Sequence, residues 1–348
     1  MFQQFYNIQA IVEMLGGAYE DLAGKKILCT GTSGFLGQWI LRTICYLNEN
    51  VLKTPCSLIA LDINDPDEQF KNYCELRGVR FVNRDLTAQF TLEKEMFDYI
   101  VHMAGIASPA HYKKRPLQTI NVALEGSRTL LELARHSGAK YLFCSSSEVY
   151  QTATVIPTPE SYIGAIPSNT DRSCYDVSKL MGENFAYVYA EQFNVSTSVV
   201  RIFNSFGPGL AQSDLRILPK IVTAHINKEA LKIYASNNLP SRTYCPAANT
   251  MAGLLLALLR GGKGKIYNIG ASSPELTVVG LLERIEDSCG IRVNYDLVPP
   301  PPVYETEPQR RCPDITLAQQ DLGYFPRVGL DEGLQSFFEW ALVNYQSG

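Results

Sequence analysis

Short apolar runs alternate with helical patterns along the first part of this 348-residue chain, and this alternation limits the possible folds more than any other feature. The apolar runs are predicted strands, and the segments between them repeat apolar residues at helical spacing. Strands that alternate with helices favour a parallel, doubly wound α/β sheet. The predicted strands are residues 25–30, 57–62, 79–82, 99–103, 140–144 and 196–202.

The alternation fades beyond residue 205, where prolines and glycines become frequent. We therefore expect the sheet domain to span residues 24–205 and a smaller, substrate-binding lobe to span residues 206–348, although segments of the two can interleave. Residues 1–23 are predicted to form an N-terminal helical extension. Its apolar face is predicted to contain Ile8, Ile11, Val12 and Leu15.

The overall composition argues against several classes of protein. Hydrophobic residues make up 46% of the chain and charged residues 19%, which suits a globular protein with a large core rather than a disordered one. The net charge is -4 without a long basic run, so we expect no nucleic-acid partner and no membrane-surface segment. No apolar run reaches the length of a membrane span, and the N-terminal residues do not resemble a secretory signal.

The cysteines and histidines indicate a reducing compartment and no metal centre. The nine cysteines are scattered without a C-x-x-C pair, which predicts reduced, mostly buried thiols and a cytoplasmic location. The four histidines lack metal-ligand spacing. His102 lies within a predicted strand and is interpreted as a core residue. Cys144 and Cys174 are interpreted as small packing residues.

A glycine-rich turn separates the first predicted strand from the helical pattern that follows. Gly31, Gly34 and Gly37 have the spacing G-x-x-G-x-x-G. The first permits a sharp turn, the second lets the backbone approach a pyrophosphate, and the third lets the helix pack on the sheet. The helix N-terminus also favours negative charge. These features predict a dinucleotide site, which is further lined by Ser33, Phe35 and Leu36.

An acidic residue, Asp62, ends the second predicted strand. A carboxylate at this position binds the adenine ribose hydroxyls and repels a 2′-phosphate, so it favours NAD over NADP. Asp85 and Leu86 follow the third predicted strand and are expected to reach the adenine. Ala104 and Gly105 end the fourth, where small residues leave room for the cofactor.

A tyrosine and a lysine, Tyr175 and Lys179, are four residues apart near the start of a predicted helix, so their side chains share one face. An ammonium group beside a phenol favours the phenolate, which lets a tyrosine act as a base near neutral pH. Ser146 follows the fifth predicted strand, at the sheet edge where doubly wound folds bind substrates. A serine there can donate a hydrogen bond to a reacting oxygen.

The glycine turn, Asp62, Ser146, Tyr175 and Lys179 together resemble the extended short-chain dehydrogenase/reductase family of NAD-dependent epimerases and dehydratases. The resemblance covers nearly all of the chain after the N-terminal extension and implies a Rossmann-type fold. It implies that Tyr175 takes a proton from a sugar hydroxyl while NAD takes the hydride, that Lys179 also holds the nicotinamide ribose, and that Ser146 orients the hydroxyl. It also implies a homodimer, paired through the helices around residues 117–136 and 175–193.

Several segments resemble UDP-glucuronate decarboxylases more than other members of that family: residues 146–150, 157–164, 172–176, 201–208 and 308–315. This resemblance implies that a nucleotide-sugar, most simply a UDP-sugar, is oxidised at C4 to a β-keto acid that loses carbon dioxide. It implies that Arg242 holds the carboxylate and that Glu148 positions the sugar ring or moves a proton at C5. Further implied substrate contacts are Ser147, Asn204, Arg216 and, facing the diphosphate, Arg310 and Arg311.

Three other functions stay open at this point. A nucleotide-sugar 4-epimerase needs only the serine, the tyrosine and the lysine. A 4,6-dehydratase needs an acid beside the serine; Ser147 occupies that place, although Glu148 remains. A non-catalytic NAD-binding protein would have little use for Ser146, Tyr175 and Lys179 together.

Overall fold

The computed structural model describes residues 5–88, 95–234, 239–300 and 308–346. The helices are α1 (Ile8–Leu15), α2 (Phe35–Asn50), α3 (Glu68–Glu75), α4 (Pro109–Tyr112), α5 (Pro116–Ser137), α6 (Ser173–Phe193), α7 (Ile217–Asn227), α8 (Ala247–Arg260), α9 (Val278–Cys289), α10 (Thr316–Leu322) and α11 (Leu330–Asn344). The strands are β1 (Lys26–Thr30), β2 (Ser57–Asp62), β3 (Val79–Asn83), β4 (Tyr99–His102), β5 (Lys140–Ser146), β6 (Thr197–Ile202), β7 (Ser205–Phe206), β8 (Leu231–Tyr234), β9 (Ser241–Thr243), β10 (Cys245–Pro246), β11 (Lys265–Ile269), β12 (Glu275–Thr277), β13 (Tyr295–Val298) and β14 (Arg310–Arg311). Two 3₁₀ turns span Gly16–Leu22 and Ser147–Tyr150.

A seven-stranded sheet with the order β3-β2-β1-β4-β5-β6-β11 forms the centre of the molecule. Every neighbouring pair in it is parallel. The chain runs from β1 to one edge of the sheet and then returns to β4, which pairs with the other side of β1. This reversal opens a crevice at the carboxyl ends of β1 and β4, where such folds bind ligands. The predicted doubly wound, Rossmann-type fold is confirmed.

The last strand of the sheet, β11, comes from the part of the chain beyond residue 205, and the sequence analysis missed it. Its five residues include Asn268, which interrupts the apolar pattern. The buried Asn268 side chain donates to the carbonyl oxygens of Thr158 (2.9 Å) and Asp314 (3.0 Å), so the amide is satisfied inside the protein. Helix α8 also packs against this sheet. The central sheet therefore includes a strand from beyond residue 205.

Apolar cores lie on both faces of the sheet and in the smaller lobe. Helix α8 is mostly apolar and is buried along nearly its whole length against one face of the sheet. Helices α5 and α6 contribute to the core on the opposite face. A separate core joins α7, α9 and α11 and includes the fully buried Phe337 and Phe338. This separate core lies between α7, α9 and α11 in the smaller lobe.

The N-terminal extension packs on the sheet domain of the same chain. Helix α1 contacts α8 and α2. Val12, which the sequence analysis placed on the apolar face, is only partly buried, whereas Met14 is buried. The buried residues of the helix are Ile8, Ile11, Met14 and Leu15.

The cysteines and His102 have the environments that the sequence indicates. All nine cysteines are free thiols, and most are buried. His102 is fully buried, its Nδ1 lies 2.9 Å from the Tyr141 hydroxyl, and burial lowers the pKa of His102 to about 3. The interpretation of His102 as a core residue is confirmed. Within the described ranges, no helix is both long and apolar enough to cross a membrane.

Candidate active site

The turn between β1 and α2 is so tight that only glycine fits at two of its positions. Gly31 has a φ of +75°, and a Cβ there would lie 2.7 Å from the amide nitrogen of Ala104, just after β4. A Cβ on Gly37 would lie 2.2 Å from the carbonyl oxygen of Gly31. The start of α2 is therefore held against the ends of β1 and β4, and it borders the crevice between them.

The first turn of α2 is suited to bind an anion. Gly34 precedes the helix, and no side chain caps it there. The first amides of a helix lack intrahelical partners and carry partial positive charge, so they bind phosphate groups well. Phe35 and Leu36 begin this helix, and their backbone N–H groups are the atoms suited to a diphosphate.

The acidic residue at the end of β2 is attached to the glycine turn. One Asp62 oxygen accepts a hydrogen bond from the Ser33 amide (2.9 Å) and the other from the Asn64 amide (3.1 Å). The carboxylate thus lies at the glycine turn, where its charge disfavours an additional phosphate.

The residues after β3 and β4 lie along the same sheet edge. Asp85 accepts two 2.8 Å hydrogen bonds from Thr87 and so forms a local turn, and the Leu86 side chain is buried in the core. After β4, a Cβ on Gly105 would lie 3.3 Å from Lys179 Nζ. The absence of a side chain at Gly105 keeps this part of the crevice open toward Lys179.

Ser146, Tyr175 and Lys179 come together at the end of β5. Tyr175 and Lys179 are both buried on one face of α6. Lys179 Nζ lies 5.8 Å from the centroid of the Tyr175 ring, and the Ser146 hydroxyl hydrogen-bonds with the Tyr175 phenol. Tyr112 stacks on the Tyr175 ring with a centroid distance of 5.3 Å and an interplanar angle of 10°. The phenol is thereby held against the serine.

The pKa of Tyr175 differs from the sequence-based prediction. Burial raises the pKa of Tyr175 to about 12, although the hydrogen bond from Ser146 acts in the opposite direction. Burial also lowers the pKa of Lys179 to about 8. Desolvation of the phenol thus outweighs the stabilisation of the phenolate that the sequence predicts. The Lys179 ammonium donates to the Cys144 carbonyl oxygen at 2.7 Å.

A cluster of charged side chains adjoins the tyrosine. Glu148 forms ion pairs with both Arg172 and Arg311, and the charge of Arg242 also acts on it. Burial by itself raises the pKa of Glu148, but the guanidinium groups of Arg311 and Arg172 outweigh it, so the pKa lies below its usual value. Glu148 is therefore ionised at neutral pH and holds two arginines. We call Glu148, Arg172, Arg242 and Arg311 the guanidinium cluster.

Comparison with known proteins agrees with this geometry. The sequence profile of the NAD dependent epimerase/dehydratase family matches residues 27–270. The chain is 30% identical to UDP-glucuronic acid decarboxylase 5 of Arabidopsis thaliana over 90% of this chain and 88% of the relative. The chain belongs to the NAD dependent epimerase/dehydratase family. Its cofactor is NAD, and the tight glycine turn, the uncapped start of α2 and Asp62 fit that dinucleotide.

Solved structures show the same fold. An epimerase from Methanothermobacter thermautotrophicus matches with a TM-score of 0.81 and 25% identity, covering 96% of each chain. A UDP-glucuronic acid 4-epimerase from Bacillus cereus, in complex with UDP-glucuronic acid and NAD, matches with a TM-score of 0.77 and 21% identity over 92% of this chain and 100% of that one.

In this family member, the substrate residues predicted from Asn204 onward are held by contacts with nearby groups. Asn204 has a positive φ of 37°, and its Nδ2 donates to the Thr243 carbonyl oxygen at 2.9 Å. Arg216 pairs with Asp214 at 2.9 Å. Arg242 donates to the carbonyl oxygens of Ser241 (2.8 Å) and Pro308 (2.5 Å). Strand β14 pairs with β9, which places Arg311 opposite Arg242 and so assembles one side of the guanidinium cluster.

The two arginines predicted to face the diphosphate contact carboxylates in this structure. Arg310 is exposed and pairs with Glu275 at 2.5 Å. Arg311 is buried and pairs with Glu148. Their contact with a diphosphate stays a prediction, as does a role for Glu148 at the sugar C5. Ser147 is buried directly before Glu148, in the same 3₁₀ turn.

Sequence reasoning did not assign a role to four residues that the fold brings to the site. They are Tyr112, Gln151, Arg172 and Asp176. Arg172 and Asp176 flank the tyrosine in sequence, and this proximity was the available signal. Tyr112 and Gln151 carry no such signal, because their contacts with α6 arise only when separate segments meet.

Proposed function

We propose that this chain is a nucleotide-sugar enzyme of the UDP-glucuronate decarboxylase type. The observation that carries the proposal is the guanidinium cluster beside Tyr175, in which three arginines surround one ionised carboxylate. Positive charge of this kind suits a substrate whose sugar bears an acidic group, and arginine binds carboxylates in a fixed geometry. The similarity to UDP-glucuronic acid decarboxylases over most of the chain supports the same substrate class.

The proposed reaction begins at the C4 hydroxyl of the sugar. NAD supplies the hydride acceptor when bound and later the hydride donor. Tyr175 removes the hydroxyl proton, and Ser146 hydrogen-bonds to the oxygen as it becomes a carbonyl. Lys179 keeps a positive charge next to Tyr175 and would hold the nicotinamide ribose of bound NAD.

Decarboxylation follows from the resulting β-keto acid. The C5–C6 bond breaks, carbon dioxide leaves, and the electron pair passes through C5 to the C4 oxygen, where Tyr175 and Ser146 stabilise the negative charge. C5 then takes up a proton from solvent, while C4 regains its hydride and the C4 oxygen regains from Tyr175 the proton removed at the start. Arg242, together with Arg172, would hold the carboxylate in position before the bond breaks.

Nucleotide binding is proposed for the residues along the crevice. The glycine turn, with Ser33, Phe35 and Leu36, would hold the NAD pyrophosphate, and Asp62 the adenine ribose. Asp85, Leu86, Ala104 and Gly105 would line the remaining cofactor surface. Asn204, Arg216, Arg310 and Arg311 would contact the nucleotide of the sugar substrate. The cofactor domain (24–205) would also include α8 and β11, and the remainder of residues 206–348 would form the substrate lobe.

We also propose a homodimer in the cytoplasm. Helices α5 and α6 pack side by side, and α6 leaves apolar side chains exposed at Val177, Leu180, Met181 and Tyr187. Such residues suit a two-fold contact between copies. The free thiols agree with a reducing compartment. Light scattering of the purified protein tests the assembly; a monomer mass at all concentrations would contradict it.

The decisive experiment is mass spectrometry of the products formed from UDP-glucuronate, UDP-glucose and UDP-N-acetylglucosamine in the presence of NAD. We expect loss of carbon dioxide from UDP-glucuronate alone. Loss of water from a hexose would instead identify a dehydratase. Conversion without a mass change, detected by chromatography, would identify an epimerase. Tyr175→Phe is the matched inactive variant and should abolish turnover while it retains NAD binding.

A further inference from the structure

The turn after β5 contains a residue in a conformation that side chains rarely adopt. Gln151 has φ 51° and ψ −131°. Glycine occupies this region readily, whereas a residue with a Cβ is strained there. Gln151 directly follows the 3₁₀ turn Ser147–Tyr150, which carries Glu148. Strain of this kind persists only where surrounding contacts hold the backbone in place.

Neighbouring segments prevent this turn from relaxing. The side chains of Val149 and Tyr150 are buried, and the Tyr150 hydroxyl donates to Asn268 Oδ1 on β11 at 2.7 Å. The chain passes the turn again at Gly164, where a Cβ would lie 2.2 Å from the Val149 carbonyl oxygen. The backbone before Gln151 is thus held from two sides.

The Gln151 side chain connects this turn to α6. Its Nε2 donates to Asp176 Oδ2 at 2.6 Å and to the Glu148 carbonyl oxygen at 3.2 Å. Asp176 follows Tyr175 and is 1% exposed. Its second oxygen, Oδ1, is buried and has no hydrogen-bond partner within the described residues. A buried carboxylate with so few donors depends strongly on each one that it has.

Asp176 in turn faces the guanidinium cluster. Its Oδ2 lies 3.8 Å from Arg172 Nε, and the same guanidinium pairs with Glu148. Arg172 therefore lies between two carboxylates, one on α6 and one in the 3₁₀ turn. A shift of Asp176 would change the orientation of Arg172 and, through Glu148, that of Arg311.

We propose that Gln151 is a positioning residue for the acidic group of the sugar substrate. Its amide fixes the Asp176 carboxylate, and Asp176 and Glu148 together orient Arg172 within the guanidinium cluster. This inference rests on the proposed function, because it assumes an acidic sugar. It accounts for the presence of glutamine at a strained position where glycine would be free of strain.

Calorimetric titration of the variant Gln151→Gly with UDP and with UDP-glucuronate tests the proposal. The substitution removes the side-chain amide and the backbone strain together. We expect an unchanged or higher Tm, unchanged affinity for UDP, and roughly tenfold weaker binding of UDP-glucuronate. Lys228→Gly is the matched control, since Lys228 also has a positive φ (57°) but lies at the end of α7. It should leave both affinities unchanged.

The pH dependence of UDP-glucuronate binding is a second measurement. It would not change if Gln151 had only a structural role. Burial raises the pKa of Asp176 to about 6, and the hydrogen bond from Gln151 opposes this rise. The loss of affinity on acidification should therefore move to higher pH in Gln151→Gly and disappear in Asp176→Asn. The charged and titratable groups that act on Asp176 or respond to it are Glu148, Arg172, Arg311, Tyr175 and Cys174.

Two negative outcomes are distinguishable. Equal UDP-glucuronate affinities and equal pH profiles for the wild-type protein and Gln151→Gly would overturn the role of Gln151 and leave the proposed function intact. If the wild-type protein binds UDP-glucuronate no more tightly than UDP-glucose, the acidic-sugar assignment itself fails, and the role of Gln151 fails with it.

Discussion

Lys179 Nζ donates a 2.7 Å hydrogen bond to the carbonyl oxygen of Cys144. This bond joins α6 to the end of β5, so the helix face that carries Tyr175 is held at the carboxyl edge of the sheet. The same ammonium lies near the Tyr175 ring, and burial lowers its pKa to about 8. Lys179 thus has both a structural contact and an electrostatic one.

A comparison of two lysines can separate these contributions. We expect Lys179→Met to lower kcat by about 100-fold or more, because the positive charge beside the general base is lost. Lys140 is the reference, since its Nζ also donates to a backbone carbonyl, that of Leu259, at 2.7 Å. Lys140→Met should lower Tm to a similar extent and leave kcat unchanged. Equal losses of kcat in both variants would contradict an electrostatic role for Lys179.

Substitution of Asp62 tests the choice of cofactor. Asp62→Asn keeps an acceptor for the Ser33 amide but removes the negative charge. We expect weaker NAD binding and a shift in the NADP-to-NAD affinity ratio of about tenfold toward NADP, as measured by fluorescence titration. Asp67→Asn, at the start of α3, is a control that keeps its capping acceptor. An unaltered cofactor ratio in Asp62→Asn would show that the ribose is recognised elsewhere.

Asp176 should make stability depend on pH in an unusual direction. Because its pKa is raised from 3.8 to about 6, the folded state binds the proton more tightly than the unfolded state. The protonated Asp176 carboxyl contributes its full stabilisation below about pH 4, and this contribution is lost as the pH rises through about 6. We therefore expect Asp176→Asn to be more stable than the wild type by about 3 kcal/mol at pH 8, and by almost nothing at pH 4. Urea unfolding at both values measures the difference.

Asp98 provides a control of the opposite sign. Burial opposes the shift, but hydrogen bonds from the Lys26 amide and the Lys25 side chain lower the pKa of Asp98. Its contribution is present above its ordinary pKa and is lost as the pH falls through the lowered value. Asp98→Asn should therefore be less stable than the wild type at pH 8. A stabilising effect in both variants would contradict the assignment to Asp176.

The glycine turn gives a prediction about steric fit. A Cβ on Gly37 would lie 2.2 Å from the Gly31 carbonyl oxygen, and these are backbone atoms that cannot rotate away. We expect Gly37→Ala to lower the free energy of unfolding by about 2 kcal/mol and to weaken NAD binding. Gly17→Ala is the control, since a Cβ there meets nothing within 4 Å. Calorimetric Tm values that agree for the two variants would show that the turn tolerates a side chain.

The strands that the sequence predicted are those with continuous apolar runs. β1, β2 and β5 each contain an unbroken run of buried apolar residues, at 27–29, 58–61 and 141–144. β11 was missed because Asn268 interrupts a run of five residues, and its amide is satisfied only by carbonyl groups from other segments. A buried polar residue whose partners are distant in sequence leaves no periodic signal.

The candidate site also has features that the sequence predicted and features that it did not. The spacing of Tyr175 and Lys179 predicts a shared helix face, and the structure has both buried on α6. The sequence also predicted a phenolate favoured by Lys179, whereas the structure has a raised pKa at Tyr175. Sequence spacing contains no information about desolvation, which depends on how completely other segments cover the phenol.

The sequence by itself determined the features that arise from neighbouring residues. They are the alternation of strands and helices as far as β6, the glycine turn at the start of α2, and the pairing of tyrosine and lysine along one helix. Each depends on backbone conformation over a few residues. The tertiary structure decided which distant groups meet, such as Glu148 with Arg311, which are 163 residues apart, and Gln151 with Asp176. Charge and burial at the site depend on these long-range contacts, because a pKa responds to every group nearby in space, whatever its place in the chain.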